Sequence, residues 1–147
     1  MPRTAVLIAL LAANMTVSAP APATLPASFD AGLDVGLLRA DDRPVALAHI
    51  DAVSRDDRCR RSGRIYPCGH EAWQVWRLKT KDGTIRCTVG SRHGNRDHGI
   101  CKTPDGTDLA LWLIEYGFAK AVHGAPEAYR AAHAAASSAR KGIFSTP

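Results

Sequence analysis

The sequence predicts an α+β domain: a small five-stranded Greek-key barrel of the OB type (an OB-fold) carrying three helices. Three features predict it. Five short apolar stretches bounded by turn residues have strand length. Three further stretches carry helical spacing or helix-cap signals. No stretch beyond the N-terminal region has the composition of a second linker, a repeat or a low-complexity tract, so the chain reads as one domain.

Taken in order, "LDVGLL" (residues 33–38) and "VALAHIDA" (45–52) are strands joined by the acidic turn "RADDRP", and the second is apolar enough to be largely buried. "GHEAWQVWRLKT" (69–80) sets Ala72, Val75, Trp76 and Lys79 at helical spacing, entered through Pro67, Cys68 and Gly69. "GTIRCTVG" (83–90) and "HGICK" (98–102) are strands around the polar loop "SRHGNRD", hence a hairpin. Thr107 or Asp108 can cap "LALWLIEY" (109–116), and Gly117 stops it. A short strand "FAKAV" follows. The last helix, 126–141, opens on Pro126 and ends before Gly142; its alanine-rich face suits close packing.

Ahead of these elements, residues 1–23 read as a signal peptide. Arg3 is the one charge there, and the run "AVLIALLAANMTV" is too short to cross a bilayer comfortably. Cleavage after Ala23 satisfies the small-x-small rule through Ala21 and Ala23. An uncleaved anchor or a lipoprotein is the rival, but no cysteine follows the apolar run. Residues 24–32 then read as a linker and 33–147 as the domain, giving a periplasmic or secreted monomer without a transmembrane anchor after processing. Losing Arg3 takes the formal net charge from +5 to +4, a balance that tolerates a polyanionic partner. Arg55, Arg58, Arg60, Arg61 and Arg64 fall close together, offset only by Asp56 and Asp57. They form either a solvated loop or a phosphate-facing patch.

An exported chain meets an oxidising compartment, so its four cysteines are expected in disulfides. Cys59 with Cys68 would close a short loop, and Cys87 with Cys101 would join adjacent strands of one hairpin. Zinc is the competing reading, with His49, His70, His93 and His98 nearby, but the sequence has no C-x-x-C or H-x-x-x-H pair.

The segments "VALAHIDAVSRDDRC", "YPCGHEAW", "IRCTV", "NRDHGIC", "DLALWLIEYGFAKA" and "YRAAHAAASSARKGIF" together resemble the thermonuclease (staphylococcal nuclease-like) family, in particular its exported four-cysteine bacterial members. The resemblance implies the OB-type fold and calcium-dependent hydrolysis of phosphodiesters in DNA or RNA. That chemistry needs a hard cation on clustered carboxylates, a glutamate that activates water and two arginines that neutralise the phosphate.

Carried over residue by residue, most of these roles fail. The metal motif aligns with "DVGL": Asp34 keeps the first acid, and Gly36 stands where the second belongs. Asp51 keeps the acid of the next motif, but Val53 replaces its proline and Ser54 the glutamate that would be the general base. Ala46 occupies the place of the first arginine. Arg96 is the second arginine, preceded by Asn95 where the family has glycine. A missing base costs about 10² to 10⁴ in rate and a missing phosphate-clamping arginine about 10³ to 10⁵. Two carboxylates make a poor calcium site, since that ion takes six to eight oxygens.

The expectation is a domain derived from a calcium-dependent phosphodiesterase and catalytically impaired, which binds nucleic acid or another polyanion through Arg60, Arg61, Arg64 and Arg96. A rewired endonuclease using Asp56, Asp57, His49 or His98 as base is one rival; an envelope protein-interaction domain is another. Plainer readings compete for the survivors: Asp51 could cap the following loop, and Arg96 could be solvated or paired with Asp97.

Overall fold

The computed structural model describes residues 16–145, and most of the segment read as a signal peptide lies outside the described residues. In chain order the elements are β1 (Ala23–Ala27), β2 (Leu37–Ala40), β3 (Arg43–Leu47), β4 (Ile50–Ala52), β5 (Cys59–Arg61) and β6 (Arg64–Tyr66), then helix α1 (Cys68–Thr80). They continue with β7 (Ile85–His93), β8 (Arg96–Lys102), α2 (Leu109–Glu115), β9 (Ala119–Ala121) and α3 (Glu127–Ser138). Five strands make one curled sheet in the order β1-β7-β8-β3-β2, antiparallel except for the parallel β3–β8 pair. Two small ribbons, β4 with β9 and β5 with β6, complete the mixed α+β architecture.

The main sheet has the expected number of strands but not the expected members. β1 starts on Ala23, the last residue read as signal peptide, and otherwise lies in the segment read as a linker, where the composition hides an alternation: Leu25 packs against the core and Ala27 is buried. Pro26 sits between them on a sheet edge, where its missing N–H leaves no ladder bond unmade. The strand expected over 45–52 is cut in two at His49, whose φ of +70° turns the chain; histidine is among the residues that tolerate that region. β3 therefore stays in the main sheet while β4 leaves to pair with β9. The strand expected from residue 33 starts only at Leu37, because Leu37 N–H closes a turn on Asp34 C=O. Most of the loop read at "SRHGNRD" is strand: β7 and β8 run on to a tight turn at Gly94 and Asn95, with a bulge between Val89 and Ser91. The arginine-rich loop also folds as a hairpin, β5–β6.

Leu38, Val45, Trp76, Ile85, Leu109 and Leu113 are buried at the core. Helix α1 reaches it with Ala72, Trp76 and Thr80, and the Thr80 hydroxyl is satisfied by Trp76 C=O at 2.7 Å. Of the two cap candidates for α2, Asp108 serves: its Oδ1 accepts from Ala110 N at 2.9 Å and Leu111 N at 3.2 Å. Its Oδ2 accepts the Tyr129 hydroxyl at 2.6 Å, so one carboxylate caps α2 and ties α3 to it. Burial first, and then that bond, hold the Tyr129 phenol well above its ordinary ionisation range. The disulfides are Cys59–Cys68 and Cys87–Cys101, so all four sulfurs are engaged. Among the described residues no helix is long and apolar enough to cross a membrane.

Candidate functional site

A cleft of about 390 Å³ opens beside β3 and β8 and is lined by Asp34, Ala46, Asp51, Ser54, Arg96 and His98 among others. Residues more than sixty positions apart in sequence meet there because β3 and β8 pair in parallel, with Ala46 opposite His98. The turn before β2 brings Asp34, the split after His49 brings Asp51 and Ser54, and Gly36 lies in the wall. Every position to which the resemblance assigns a catalytic or metal-binding role thus borders one cavity.

The cleft floor is tied together by the protein's own donors. Asp34 Oδ2 accepts the Ser54 hydroxyl at 2.7 Å, and Oδ1 accepts Val35 N and Arg55 N, each at 2.7 Å. Ser54 N donates to Asp57 Oδ2 at 2.8 Å. Arg55 turns inward, donating through Nη2 to Ala31 C=O at 2.9 Å and Leu33 C=O at 2.7 Å, with its guanidinium 4.2 Å from the Trp73 ring centroid. Gly69, in the first turn of α1, must be bare for this to close: a Cβ there would lie 1.9 Å from Ser54 C=O. Gly69 N also donates to Asp57 C=O at 3.0 Å. The loops around Asp34 and Ser54 are therefore one hydrogen-bonded knot, seated on α1.

Several expectations change in this light. The carboxylates that tie down the loop after β4 are Asp34 and Asp57; Asp51 is exposed and the capping reading of it does not hold. Asp57, considered as a substitute base, is turned onto Ser54 N. Asp56 and Asp57 are not among the residues lining this cleft, and Asp57 lines a neighbouring one. His49 is not at the site either, since its ring packs 5.1 Å from that of Tyr129. Asp97 pairs with Arg92 at 2.9 Å and Arg43 at 3.4 Å rather than with Arg96. Among the described residues Arg96 has no carboxylate partner. His98 lines the cleft and holds Nδ1 buried without a hydrogen-bond partner.

The arginine cluster divides. Arg55 belongs to the knot, half-buried with its guanidinium engaged by Ala31 C=O and Leu33 C=O. Arg58 and Arg60 line a second cleft of about 410 Å³ that shares Asp51 with the first and adds Lys120, which pairs with Asp51 across β4 and β9. Arg61 stacks on Tyr66 with 4.2 Å to the ring centroid, and Arg61 and Arg64 border a separate notch.

The residues present do not fit calcium well. Asp34 is bonded through both oxygens, and a carboxylate added at Gly36 meets a backbone at φ +76° with its Cβ 3.2 Å from that of Ala52. Among the described residues no three His, Cys, Asp or Glu side chains come together as a metal site. Scanned against protein-family models and against curated proteins, the chain matches none.

Proposed function

We propose that this chain is an exported OB-type domain, similar to the thermonuclease family, whose cleft binds the phosphate backbone of nucleic acid or a like polyanion without hydrolysing it efficiently. The observation that carries this reading is the Ser54 hydroxyl on Asp34: where the resemblance expects a base acting beside a metal-bound carboxylate, a neutral donor holds that carboxylate within the fold. Calcium then has no set of oxygens to enter without breaking the knot. Ala46 removes one phosphate clamp, and Arg96, unpaired and open to the cleft, retains the other. The apolar N-terminal run and the two disulfides support export.

The test is to incubate the chain lacking residues 1–23 with single-stranded DNA and with RNA across a divalent-cation series, and to measure binding at several salt concentrations. The expected result is retention without cleavage, with affinity falling as salt rises, by a log–log slope of about 0.7 per phosphate contacted on a single strand. Strong metal-dependent cleavage would overturn the impaired reading and favour a rewired endonuclease, for which His98 is the base candidate the cleft offers. Absence of salt-dependent binding would favour a protein-interaction domain.

A further inference from the structure

The two disulfides sit in opposite settings. Cys87–Cys101 joins adjacent strands of the main sheet, and both residues are fully buried. Cys59–Cys68 ties the β5–β6 ribbon to helix α1. There Cys68 is fully buried, whereas Cys59 is half-buried and lines the second cleft, of about 410 Å³, together with residues of the β4–β9 ribbon. Arg58, Arg60 and Lys120 line the same cleft, and among the described residues none of the three has a carboxylate partner within ion-pair distance. Two acids line it as well: Asp57, whose Oδ2 accepts from Ser54 N at 2.8 Å, and Asp51, exposed on β4. Three cations against two acids, one of them bound inward, leave the space around Cys59 positive.

We propose that Cys59 is a thiol–disulfide exchange site for a small anionic thiol, one that carries a carboxylate or sulfonate besides its sulfur, and that exchange unlatches the β5–β6 ribbon. The thiolate attacks Cys59 Sγ, the bond to Cys68 breaks, and the electron pair leaves on Cys68 Sγ, which takes a proton from solvent. The product is a mixed disulfide on Cys59 and a free thiol at Cys68. Return attack by Cys68 expels the small thiol and restores the original bond, so the cycle consumes no oxidant or reductant. Burial of Cys68 directs the attack to Cys59. The three cations raise the local concentration of an anionic attacker, and the volume is that of a small-molecule pocket, which favours a low-molecular-weight thiol over a protein one. Opening the bond has structural reach. Both strands of the ribbon are short and largely exposed; besides the disulfide, Tyr66 ties it to the domain, its hydroxyl donating to Gly142 C=O at 3.0 Å. Asp57, two residues before Cys59, holds Ser54 N and accepts Gly69 N, beside Cys68, at 3.0 Å, so the latch adjoins the knot. None of this depends on what the main cleft binds.

The experiment treats the oxidised chain with an excess of 2-mercaptoethanesulfonate, 2-mercaptoethanol or cysteamine, at equal thiolate concentration and with rates corrected for thiol basicity. Timed samples are quenched with acid, alkylated and mapped by mass spectrometry. The anionic sulfonate should form an adduct on Cys59, with Cys68 alkylated, about five- to tenfold faster than the neutral thiol at low salt, and the cationic thiol should be slowest. About 0.5 M salt should compress that spread, a reading that needs no variant to fold. The Arg58→Gln, Arg60→Gln, Lys120→Gln triple variant should lose the preference while keeping the neutral-thiol rate. Cys87–Cys101 should stay closed throughout. Amide hydrogen exchange over residues 54–66 should speed up once the adduct forms. Equal rates for the three thiols, an adduct on Cys68, earlier opening of Cys87–Cys101, or no reaction at all overturns the site. A preference that survives in the folded triple variant removes the cleft from the explanation and overturns it equally. Unchanged exchange over residues 54–66 in the adduct overturns the unlatching.

Discussion

Asp34 and Asp51 line one cleft and are held by neighbouring elements, yet the fold uses them differently. Asp34 accepts three hydrogen bonds from Val35, Ser54 and Arg55 and joins two loops. Asp51 stands exposed on β4, between the main cleft and the one bearing Arg58, Arg60 and Lys120. The arginines divide the same way. Arg55 turns into the knot and donates to two backbone carbonyls, while Arg96, which among the described residues has no carboxylate partner, lines the main cleft. A charged group whose bonding capacity is consumed by the fold contributes to stability; one left over is what a ligand can use. The cleft floor belongs to the first kind, its lip to the second.

The largest expected effect tests that division directly. Asp34→Ala strips the acceptor from two backbone amides and a hydroxyl and should lower unfolding free energy by about 3 kcal/mol, read from denaturant midpoints. Asp51→Ala should stay within about 0.5 kcal/mol. Equal costs for the two would break the comparison.

A pair of arginine variants comes next. Arg55→Ala loses two hydrogen bonds to carbonyls and the contact with Trp73, and should cost about 1 to 2 kcal/mol of stability. Arg96→Ala should leave stability within about 0.5 kcal/mol but weaken oligonucleotide binding about five- to tenfold and reduce the salt slope by roughly one contact. If Arg96→Ala instead unfolds the protein while binding per folded molecule is unchanged, Arg96 belongs to the fold and not to a ligand.

How much of this could be read from the sequence depends on where each signal resides. Helices α1 and α2 and the cysteine pairing were legible because caps, stops and loop lengths are local. The gathering of Asp34, Ala46, Asp51, Ser54 and Arg96 was legible through their spacing within a resembled pattern. β1 was hidden by a composition of Pro, Ala and Ser, although Leu25 and Ala27 alternate as a strand requires. The β5–β6 hairpin was hidden by its arginines, since its stability comes from Cys59–Cys68 and the turn at Ser62 and Gly63 rather than from apolar burial. The role of Arg55 left no local signal at all, because the carbonyls it binds lie 22 and 24 residues earlier. His49 was placed at the site by proximity in sequence; its left-handed backbone, which a one-dimensional pattern does not encode, sends it to Tyr129 instead.

The smallest expected effect concerns the bond between Ser54 and Asp34. Ser54→Glu exchanges a donor for a second carboxylate against Asp34, which removes one tie and sets two like charges together. Without a divalent cation the variant should be less stable than the wild-type chain. With Asp34 Oδ2 released beside a new carboxylate, calcium gains a pair of hard ligands that the wild-type chain keeps bonded internally. At a calcium concentration about ten times a weak dissociation constant, linkage returns about 1.4 kcal/mol, or several degrees in Tm for a domain of this size. Thermal melts of both proteins with calcium and with magnesium supply the measurement. A calcium-dependent rise in Tm confined to Ser54→Glu would show that this one hydroxyl keeps calcium away from Asp34. An equal rise in the wild-type chain would mean that Asp34 exchanges its hydrogen bonds for a cation readily, and that the knot does not exclude the metal. No rise in a folded Ser54→Glu variant would mean that two carboxylates are too few for the ion, and a third would have to enter at the wall near Gly36, where the positive φ and the contact with Ala52 oppose it.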